Sequence, residues 1–281
     1  MSNLKVRILF SCIAIPVVFF CLWLCDASRL LLMCFLSGAG AWEWSRMASK
    51  MYSGPSMLVL APFCSVLFTL AWIFESGKFF GLSPIHGLVG FVLLLVFTLY
   101  ILVAFSKVAI DHLFPWMILQ LGAPLYLGLW GSLNVFLLGS GSFSLVHSYK
   151  FILVMTAMWG CDSFAYFIGK AIGKHKMAPE ISPKKTWEGA VAGTVFSIIW
   201  AIIWAKSVFG LDICQGAILG FVLAVAGQIG DLLMSTLKRW SGTKDASQIF
   251  PGHGGVLDRG DSFFLAAPMV VLLFLFINGA I

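Results

Sequence analysis

Stretches of about 20 consecutive apolar residues recur along this chain, and they restrict its fold more than any other feature. A helix of that length can cross the hydrocarbon core of a membrane, which is roughly 30 Å thick. Because lipid offers no hydrogen-bond partners, the backbone inside a membrane has to form helices or a closed barrel. The stretches are continuously apolar and do not alternate, which favours helices over barrel strands. Only 11% of the 281 residues are charged, too few to cover the surface of a soluble domain of this length.

We therefore predict an all-α, polytopic integral membrane protein with about nine transmembrane helices. Lys5 and Arg7 precede the first apolar run as in a signal peptide, but no clear small-x-small cleavage site follows, so we expect this run to stay as the first span. The predicted spans are residues 6–25, 30–48, 57–75, 85–106, 113–138, 149–169, 188–205, 213–236 and 262–280.

The lysine and arginine residues predict the orientation of these spans. With nine spans, the N-terminal tail and every second loop share one side of the membrane, and that side holds 14 of the 18 basic residues. The positive-inside rule then places the N-terminus in the cytoplasm and the C-terminus outside. We divide the chain into N-terminal transmembrane helices at 1–148, about five spans, and a catalytic transmembrane region at 149–281. The polar loops 170–187 and 237–261 of this second region face the cytoplasm.

Two acidic residues lie well inside predicted spans of the second region. Asp162 and Asp231 each interrupt an apolar run, and an acid in a membrane span costs several kcal/mol and is by default a functional residue. The alternative is an ion pair that locks two helices together, and we keep Asp162 as either a site acid or a structural one. Asp231, Ser235 and Lys238 have the spacing of a single helix face.

A second pair of acids precedes the last span. Asp258 and Asp261 are three residues apart, and Mg²⁺ typically takes one or two carboxylates together with phosphate oxygens. Arg259, between them, could neutralise both acids instead and form a purely structural cluster. The preceding segment FPGHGG is rich in glycine, and glycines let backbone N–H groups approach a phosphate closely. Together with the cations Lys238, Arg239 and Lys244, this pattern predicts a metal–phosphate site.

The loop SPKKTWEG, residues 182–189, carries a further group of phosphate-binding side chains. Lys184 and Lys185 are adjacent cations, and Ser182 and Thr186 carry hydroxyl groups. Either hydroxyl residue could equally mark the start of a helix.

Other polar residues have weaker signals. His253 could donate to a phosphate, act as an acid or base, or cap its loop. For Glu43, between two tryptophans, we favour a structural role at the membrane interface over a place in the cavity. The other four histidines receive no role.

The seven scattered cysteines predict neither a disulfide framework nor a zinc site. We interpret the net charge of +6 as attraction to anionic lipid and expect no nucleic-acid partner.

The segment STLKRWSGTKDASQIFPGHGGVLDRGD, residues 235–261, closely resembles the signature of the phosphatidate cytidylyltransferases, also called CDP-diacylglycerol synthases. Its fixed positions include Ser235, Lys238-Arg239, Lys244-Asp245, His253-Gly254-Gly255, Asp258-Arg259 and Asp261. The segment WGCDSFAYFIGKAIGKHKMAPEISPKKTWEGAVAG is similar to a second landmark of the family, from which only Cys161 departs. The strong resemblance covers roughly residues 155–265.

The resemblance implies that CTP and phosphatidate react to give CDP-diacylglycerol and pyrophosphate, with Mg²⁺, in the bacterial inner membrane. It further implies an active site that faces the cytoplasm, membrane lipids as partners and commonly a homodimer. Carried onto this chain, the catalytic residues are Asp231, Asp258, Asp261, Lys238, Arg239 and His253, and the three aspartates hold the metal. The substrate-binding residues are Ser182, Lys184, Lys185, Thr186, Ser235, Lys244, Asp245, Gly254, Gly255 and Arg259.

Two other functions compete with this one. A CTP-dependent lipid kinase of the polyprenol or phytol type would share the nucleotide and the membrane but release CDP. A transporter of an anionic solute would use the acids as a proton relay and is expected to show inverted repeats, which the sequence lacks.

Overall fold

The computed structural model describes residues 3–51, 58, 61–67, 110–138 and 145–277. Most of these residues are helical, in agreement with the predicted helical class. The fourth predicted span, 85–106, and most of the third, 57–75, lie outside the described residues. The helices are α1 (Asn3–Leu24), α2 (Asp26–Met51), α3 (Ile110–Leu138), α4 (Leu145–Ile172), α5 (Trp187–Trp204), α6 (Ile213–Trp240), α7 (Val256–Gly260) and α8 (Phe263–Ile277).

The predicted spans and the helices agree closely where the chain is described. Each remaining span coincides with one of the long helices to within a few residues, because the apolar runs determine both the predicted spans and the helices. Among the residues that the structure describes, three segments are long and apolar enough to cross a membrane: Tyr149–Ile172, Trp187–Phe209 and Ile213–Trp240. The second of them continues from α5 into one turn of π-helix at Ala205–Phe209. Leu9–Leu24 and Phe263–Phe274 are shorter apolar helices.

The described chain forms two compact units. The first unit comprises Met1–Phe143 and Trp240–Arg259, and the second comprises Ser144–Arg239 and Gly260–Ile281. The Gly-rich part of the signature thus belongs to the first unit, whereas the helix that carries Asp231 belongs almost entirely to the second.

The first unit is organised by contacts of α2 with α1 and α3. The indole N–H of Trp44 donates to the carbonyl oxygen of Leu119 at 2.8 Å. Gly122 leaves room for that indole, because a Cβ at this position would lie 2.8 Å from the Trp44 ring. At the break between α1 and α2, Arg29 Nε donates to the carbonyl oxygen of Leu22 at 2.7 Å. The buried Arg29 side chain thereby provides a hydrogen-bond donor for a backbone carbonyl group at the C-terminal end of α1.

The second unit is built on close packing of α4 against α5. Gly189 and Gly193, both buried, face the carbonyl oxygens of Ala165 and Cys161, and a Cβ at either glycine would collide with them. The indole N–H of Trp200 donates to Thr156 Oγ1 at 2.9 Å across the same interface. Small residues let membrane helices approach closely, and the two glycines permit this approach between α4 and α5.

A short β-hairpin interrupts the helical fold between α4 and α5. Its strands, β1 (Lys176–Ala178) and β2 (Ser182–Thr186), pair antiparallel with Lys176 opposite Thr186. The interpretation of Ser182 as a helix start is therefore wrong: a residue before proline avoids the α conformation, and Ser182 begins a strand. Thr186 does cap a helix, because its Oγ1 accepts from Gly189 N at 3.2 Å at the start of α5.

Candidate active site

Asp231 is the centre of a polar group in the second unit. Lys185, on β2, forms an ion pair with Asp231 Oδ2. Ser235, one turn further along α6, donates to Asp231 Oδ1 at 3.2 Å. The shared helix face predicted for Asp231 and Ser235 is thus present, and a lysine from a distant part of the sequence has joined it.

Asp261 and Asp162 contribute further negative charge to the second unit. Asp261 is only partly exposed; burial, and next the negative charge of Asp231, raise its pKa to about 7. The positive charge of Lys238 and a hydrogen bond from its neighbour Ser262 act in the opposite direction. Asp162 Oδ2 accepts from Ser262 Oγ at 3.4 Å and lies close enough for its charge to act on Asp261. The two acids are therefore brought near Asp231 from α4 and from the turn that precedes α8.

Gln228 supports this group and was missed by the sequence reasoning. Its side-chain amide, one turn before Asp231, donates to the carbonyl oxygen of Ala190 at 3.0 Å and to Thr194 Oγ1 at 3.1 Å. These bonds join α6 to α5 within otherwise apolar helices. A glutamine in a membrane-spanning run was the available signal, because such a side chain needs partners there.

The hairpin that carries Lys185 is fastened at its base and at its turn. At the base, His175 Nδ1 lies 2.7 Å from Glu188 Oε1, and the backbone N–H of Trp187 donates to the carbonyl oxygen of His175 at 3.0 Å. At the turn, Arg239 Nε donates to the carbonyl oxygen of Ile181 at 3.3 Å. His175 received no role from the sequence, yet it helps to fix the predicted phosphate-binding loop.

The two lysines of the hairpin have different surroundings. Side chains alternate along a strand, so Lys184 and Lys185 point to opposite faces of β2. Lys185 contacts Asp231 and keeps 26% of its side chain exposed. Lys184 is exposed and forms no ion pair with any residue of the described ranges. Of these two lysines, only Lys184 therefore presents an ammonium group outside an ion pair.

In the first unit, Glu43 organises the Gly-rich loop. This glutamate of α2 is fully buried, and its carboxylate accepts from the backbone N–H groups of Val256 at 2.9 Å and Leu257 at 2.8 Å. Ser247 Oγ also donates to it. Gly255 is required beside it, because a Cβ there would collide with the Glu43 carboxylate. Glu43 thus has a structural role in the described residues, and that role is to fix the backbone of the Gly-rich loop.

Asp258 fixes the same loop from the other end. Its Oδ2 accepts from the buried backbone N–H groups of Ala246 at 2.8 Å and Gly255 at 2.9 Å. Gly254 has a φ of 87°, which side chains other than glycine rarely adopt, and a Cβ there would lie 2.6 Å from Asp258 Oδ2. Local packing therefore explains two of the predicted phosphate-binding glycines: Gly254 leaves room for the Asp258 carboxylate and Gly255 for that of Glu43.

His253 contacts the first helix. Its Nε2 lies 3.1 Å from Ser11 Oγ, and its ring lies 5.2 Å from that of Phe10 between ring centroids. Phe10 also packs against Phe250 at 5.3 Å. No sequence pattern predicts this contact between α1 and the loop, because the partners are 242 residues apart.

The remaining predicted residues of the loop are at the surface. Lys244, Asp245 and Arg259 are exposed. Arg259 makes no ion pair with any residue that the structure describes, so the alternative in which it neutralises both flanking acids has no support in this part of the chain. Within the described ranges, no three Asp, Glu, His or Cys side chains converge as a metal-binding group.

Comparisons with known proteins agree with the resemblance seen in the sequence. A sequence profile of the cytidylyltransferase family matches residues 5–277. A phosphatidate cytidylyltransferase of Haemophilus influenzae is 42% identical over 134 residues, 46% of this chain and 45% of that protein. One from Staphylococcus haemolyticus is 41% identical over 126 residues, 44% of this chain and 47% of that protein. One from Bacillus subtilis is 42% identical over 117 residues, 41% of this chain and 44% of that protein.

In these alignments the chain spans less than half the length of the curated relatives it matches. The family profile, in contrast, extends over nearly all of the 281 residues. The apolar helices, the signature segment and this match agree, and the chain belongs to the cytidylyltransferase family.

Proposed function

We propose that this protein transfers the cytidylyl group of CTP to phosphatidate and so forms CDP-diacylglycerol and pyrophosphate. The family membership and the printed names of the relatives support the reaction. The single structural observation that carries the proposal is the polar group around Asp231, near the end of a membrane-length helix. Asp231 forms an ion pair with Lys185 and accepts a hydrogen bond from Ser235, and further acids lie nearby. Such a site suits a substrate with a phosphate headgroup and lipid tails.

The chemistry needs no general base from the protein. The phosphate of phosphatidate is a monoester with a second pKa near 6 and is largely ionised at neutral pH. It can attack the α-phosphate of CTP directly, and the bond to the departing pyrophosphate breaks. Catalysis then depends on positioning and charge neutralisation. Lys184 and Arg239 are exposed beside the hairpin and would neutralise the triphosphate, together with Lys238.

The residues fit a divalent cation. Carboxylates are the ligands that Mg²⁺ prefers, and one or two suffice when phosphates complete the coordination. The ammonium of Lys185, in contact with Asp231 Oδ2, shows that this carboxylate already accepts a cation. We propose Asp231 and Asp261 as Mg²⁺ ligands, with Asp162 as a nearby acid. Bound Mg²⁺ would polarise the transferring phosphate groups.

The Gly-rich loop of the first unit would contribute its own phosphate-binding groups. We keep Asp258 as a proposed ligand in addition to its bonds to the loop backbone. We propose further substrate contacts from this loop: Lys244, Arg259, Asp245 and the backbone N–H groups of Gly254 and Gly255. We also propose that His253 donates a hydrogen bond to a phosphate group. In the second unit, Ser182, Thr186 and Ser235 stay proposed hydroxyl donors.

We further propose a setting for the enzyme. It lies in the bacterial inner membrane with about nine spans, a cytoplasmic N-terminus, an external C-terminus and its active site toward the cytoplasm. The distribution of basic residues supports this orientation. Residues 1–148 form the N-terminal helical region and 149–281 the catalytic region, and the protein acts as a homodimer.

Product analysis tests the reaction. Purified protein is incubated with labelled CTP, phosphatidate and Mg²⁺, and the lipid fraction is separated. We expect lipid-linked CDP and an equal amount of pyrophosphate, both abolished by a chelator. Release of CDP with a phosphorylated lipid would instead identify a lipid kinase. Asp231→Asn serves as the inactive control.

A further inference from the structure

We propose that Lys185 is an exchangeable cation, which occupies Asp231 before metal binds and is released from it when metal binds. The inference rests on the proposed role of Asp231 as a metal ligand. The two adjacent lysines then have different roles. Lys184 is always available to substrate, whereas Lys185 becomes available only in the metal-bound protein.

Metal and Lys185 compete for one oxygen of Asp231. Lys185 Nζ contacts Oδ2 of Asp231, while Oδ1 accepts the bond from Ser235. Asp231 keeps 24% of its side chain exposed, so a small cation can reach it from solvent. Two positive charges at the same oxygen repel each other strongly in a partly buried site. A bound divalent cation and the Lys185 ammonium therefore exclude each other at Oδ2.

Negative charge accumulates around Asp231. The negative charges of Asp231 and Asp162 both act on Asp261, and these like charges oppose one another without a cation nearby. In this structure Lys185 supplies positive charge at Asp231, and the positive charge of Lys238 acts on Asp261. A divalent cation supplies more charge at the same place, so the need for Lys185 disappears when metal binds.

The side chain of Lys185 can leave Asp231 while the backbone of β2 stays in place. Thr186, the next residue, is buried and caps α5, and the carbonyl oxygen of Ile181 accepts from Arg239. The backbone on both sides of Lys185 is thus fixed to helices. Its four-carbon side chain is flexible, and rotation of that chain alone would move the ammonium to an approaching phosphate.

Amine reactivity in the wild-type protein tests this directly. The protein in detergent is reductively methylated without divalent metal and with Mg²⁺, and both lysines are quantified by fragmentation of the single peptide that contains them. We expect Lys184 to react equally in both conditions. Lys185 should be protected without metal and react severalfold faster with Mg²⁺. Equal or slower labelling of Lys185 with Mg²⁺ would overturn the proposal.

Metal affinity gives a second measurement that does not depend on activity. Mn²⁺ binding is followed by the loss of the free-ion resonance signal, with Mg²⁺ as competitor, for wild type and for Lys185→Met and Lys184→Met. Lys185→Met removes the competing cation, so its Kd for Mn²⁺ should fall about tenfold, equivalent to about 1.4 kcal/mol. Lys184→Met should bind like wild type. An unchanged or larger Kd for Lys185→Met, or no binding to any of the three proteins, contradicts the exchange.

The transfer assay separates this inference from the proposed function. A protein that forms CDP-lipid with Mg²⁺ while Lys185 stays protected refutes the exchange alone. A protein in which Mg²⁺ exposes Lys185 but which forms another product keeps the exchange and loses the substrate assignment.

Discussion

The carboxylate of Glu43 accepts a hydrogen bond of 2.8 Å from the backbone N–H of Leu257, a residue 214 positions further along the chain. The same carboxylate accepts from Val256 and from Ser247. One buried acid of the second helix therefore determines the path of the Gly-rich loop in the first unit. Buried polar groups in such a network are costly to leave unpaired, which makes this position sensitive to small chemical changes.

We expect Glu43→Gln to destabilise the protein by about 2 kcal/mol. Glutamine has one acceptor oxygen where glutamate has two, so at least one buried N–H group of the loop loses its partner. Thermal unfolding in detergent measures the loss. Glu180→Gln, which changes an exposed glutamate of the hairpin, is the matched control and should unfold like wild type. Equal stability of Glu43→Gln and the control would show that the loop does not depend on this carboxylate.

Two substitutions at Asp258 separate its structural task from its charge. Asparagine keeps a carbonyl oxygen that can accept from Ala246 and Gly255, so Asp258→Asn should fold. Asp258→Ala leaves two buried N–H groups unpaired and should lose about 2 to 5 kcal/mol of stability. If Asp258 also holds metal, the folded Asp258→Asn protein should lose transfer activity by orders of magnitude, because a neutral amide binds a hard cation weakly. A folded Asp258→Asn protein with wild-type activity would limit this residue to holding the loop.

The raised pKa of Asp261 predicts how stability depends on pH. Burial and the charge of Asp231 raise this pKa to about 7, so ionisation of Asp261 is less favourable in the folded protein than in the unfolded one. Its destabilising effect therefore appears as the pH rises above the ordinary carboxyl value of about 4 and is complete above about 7. Asp261→Asn removes the effect. Without metal, the variant should be more stable than wild type at pH 8, by on the order of 3 kcal/mol, and show little advantage at pH 4.

Thermal unfolding at several pH values checks this behaviour, with Asp245→Asn as a control for loss of an exposed acid. Added Mg²⁺ should reduce the advantage of Asp261→Asn at pH 8, because the metal offsets the repulsion in the wild type. A variant that is less stable than wild type at both pH values would instead indicate a structural ion pair at Asp261.

Fusions at the C-terminus test the proposed topology. The excess of basic residues on one side predicts an external C-terminus. A C-terminal alkaline phosphatase, active only outside the cytoplasm, should therefore be active, and a fluorescent protein that folds only in the cytoplasm should be dark. The same two reporters fused after Lys174, in a loop predicted to be cytoplasmic, provide the reversed control. A fluorescent C-terminal fusion with inactive phosphatase would refute the nine-span arrangement.

The sequence by itself determined the helical class, the positions of the long helices within the described residues, and the family. Apolar runs report directly which segments avoid water, because the free energy of transfer to lipid depends on composition and length and not on tertiary contacts. The shared face of Asp231 and Ser235 follows from helix periodicity and was equally predictable. Thr186 as the cap of α5 is also local, since the donor and the acceptor are three residues apart.

The partners of the polar residues were decided by the tertiary structure alone. Three contacts join distant parts of the chain: Lys185 with Asp231, Glu43 with Leu257, and Ser11 with His253. From the sequence alone, many other side chains could have been the partner in each pair. A buried or membrane-embedded polar group must find a partner, but composition does not say which one. Packing of the helices brings one candidate within reach and excludes the others, and only then does a lysine or a carboxylate acquire its particular role.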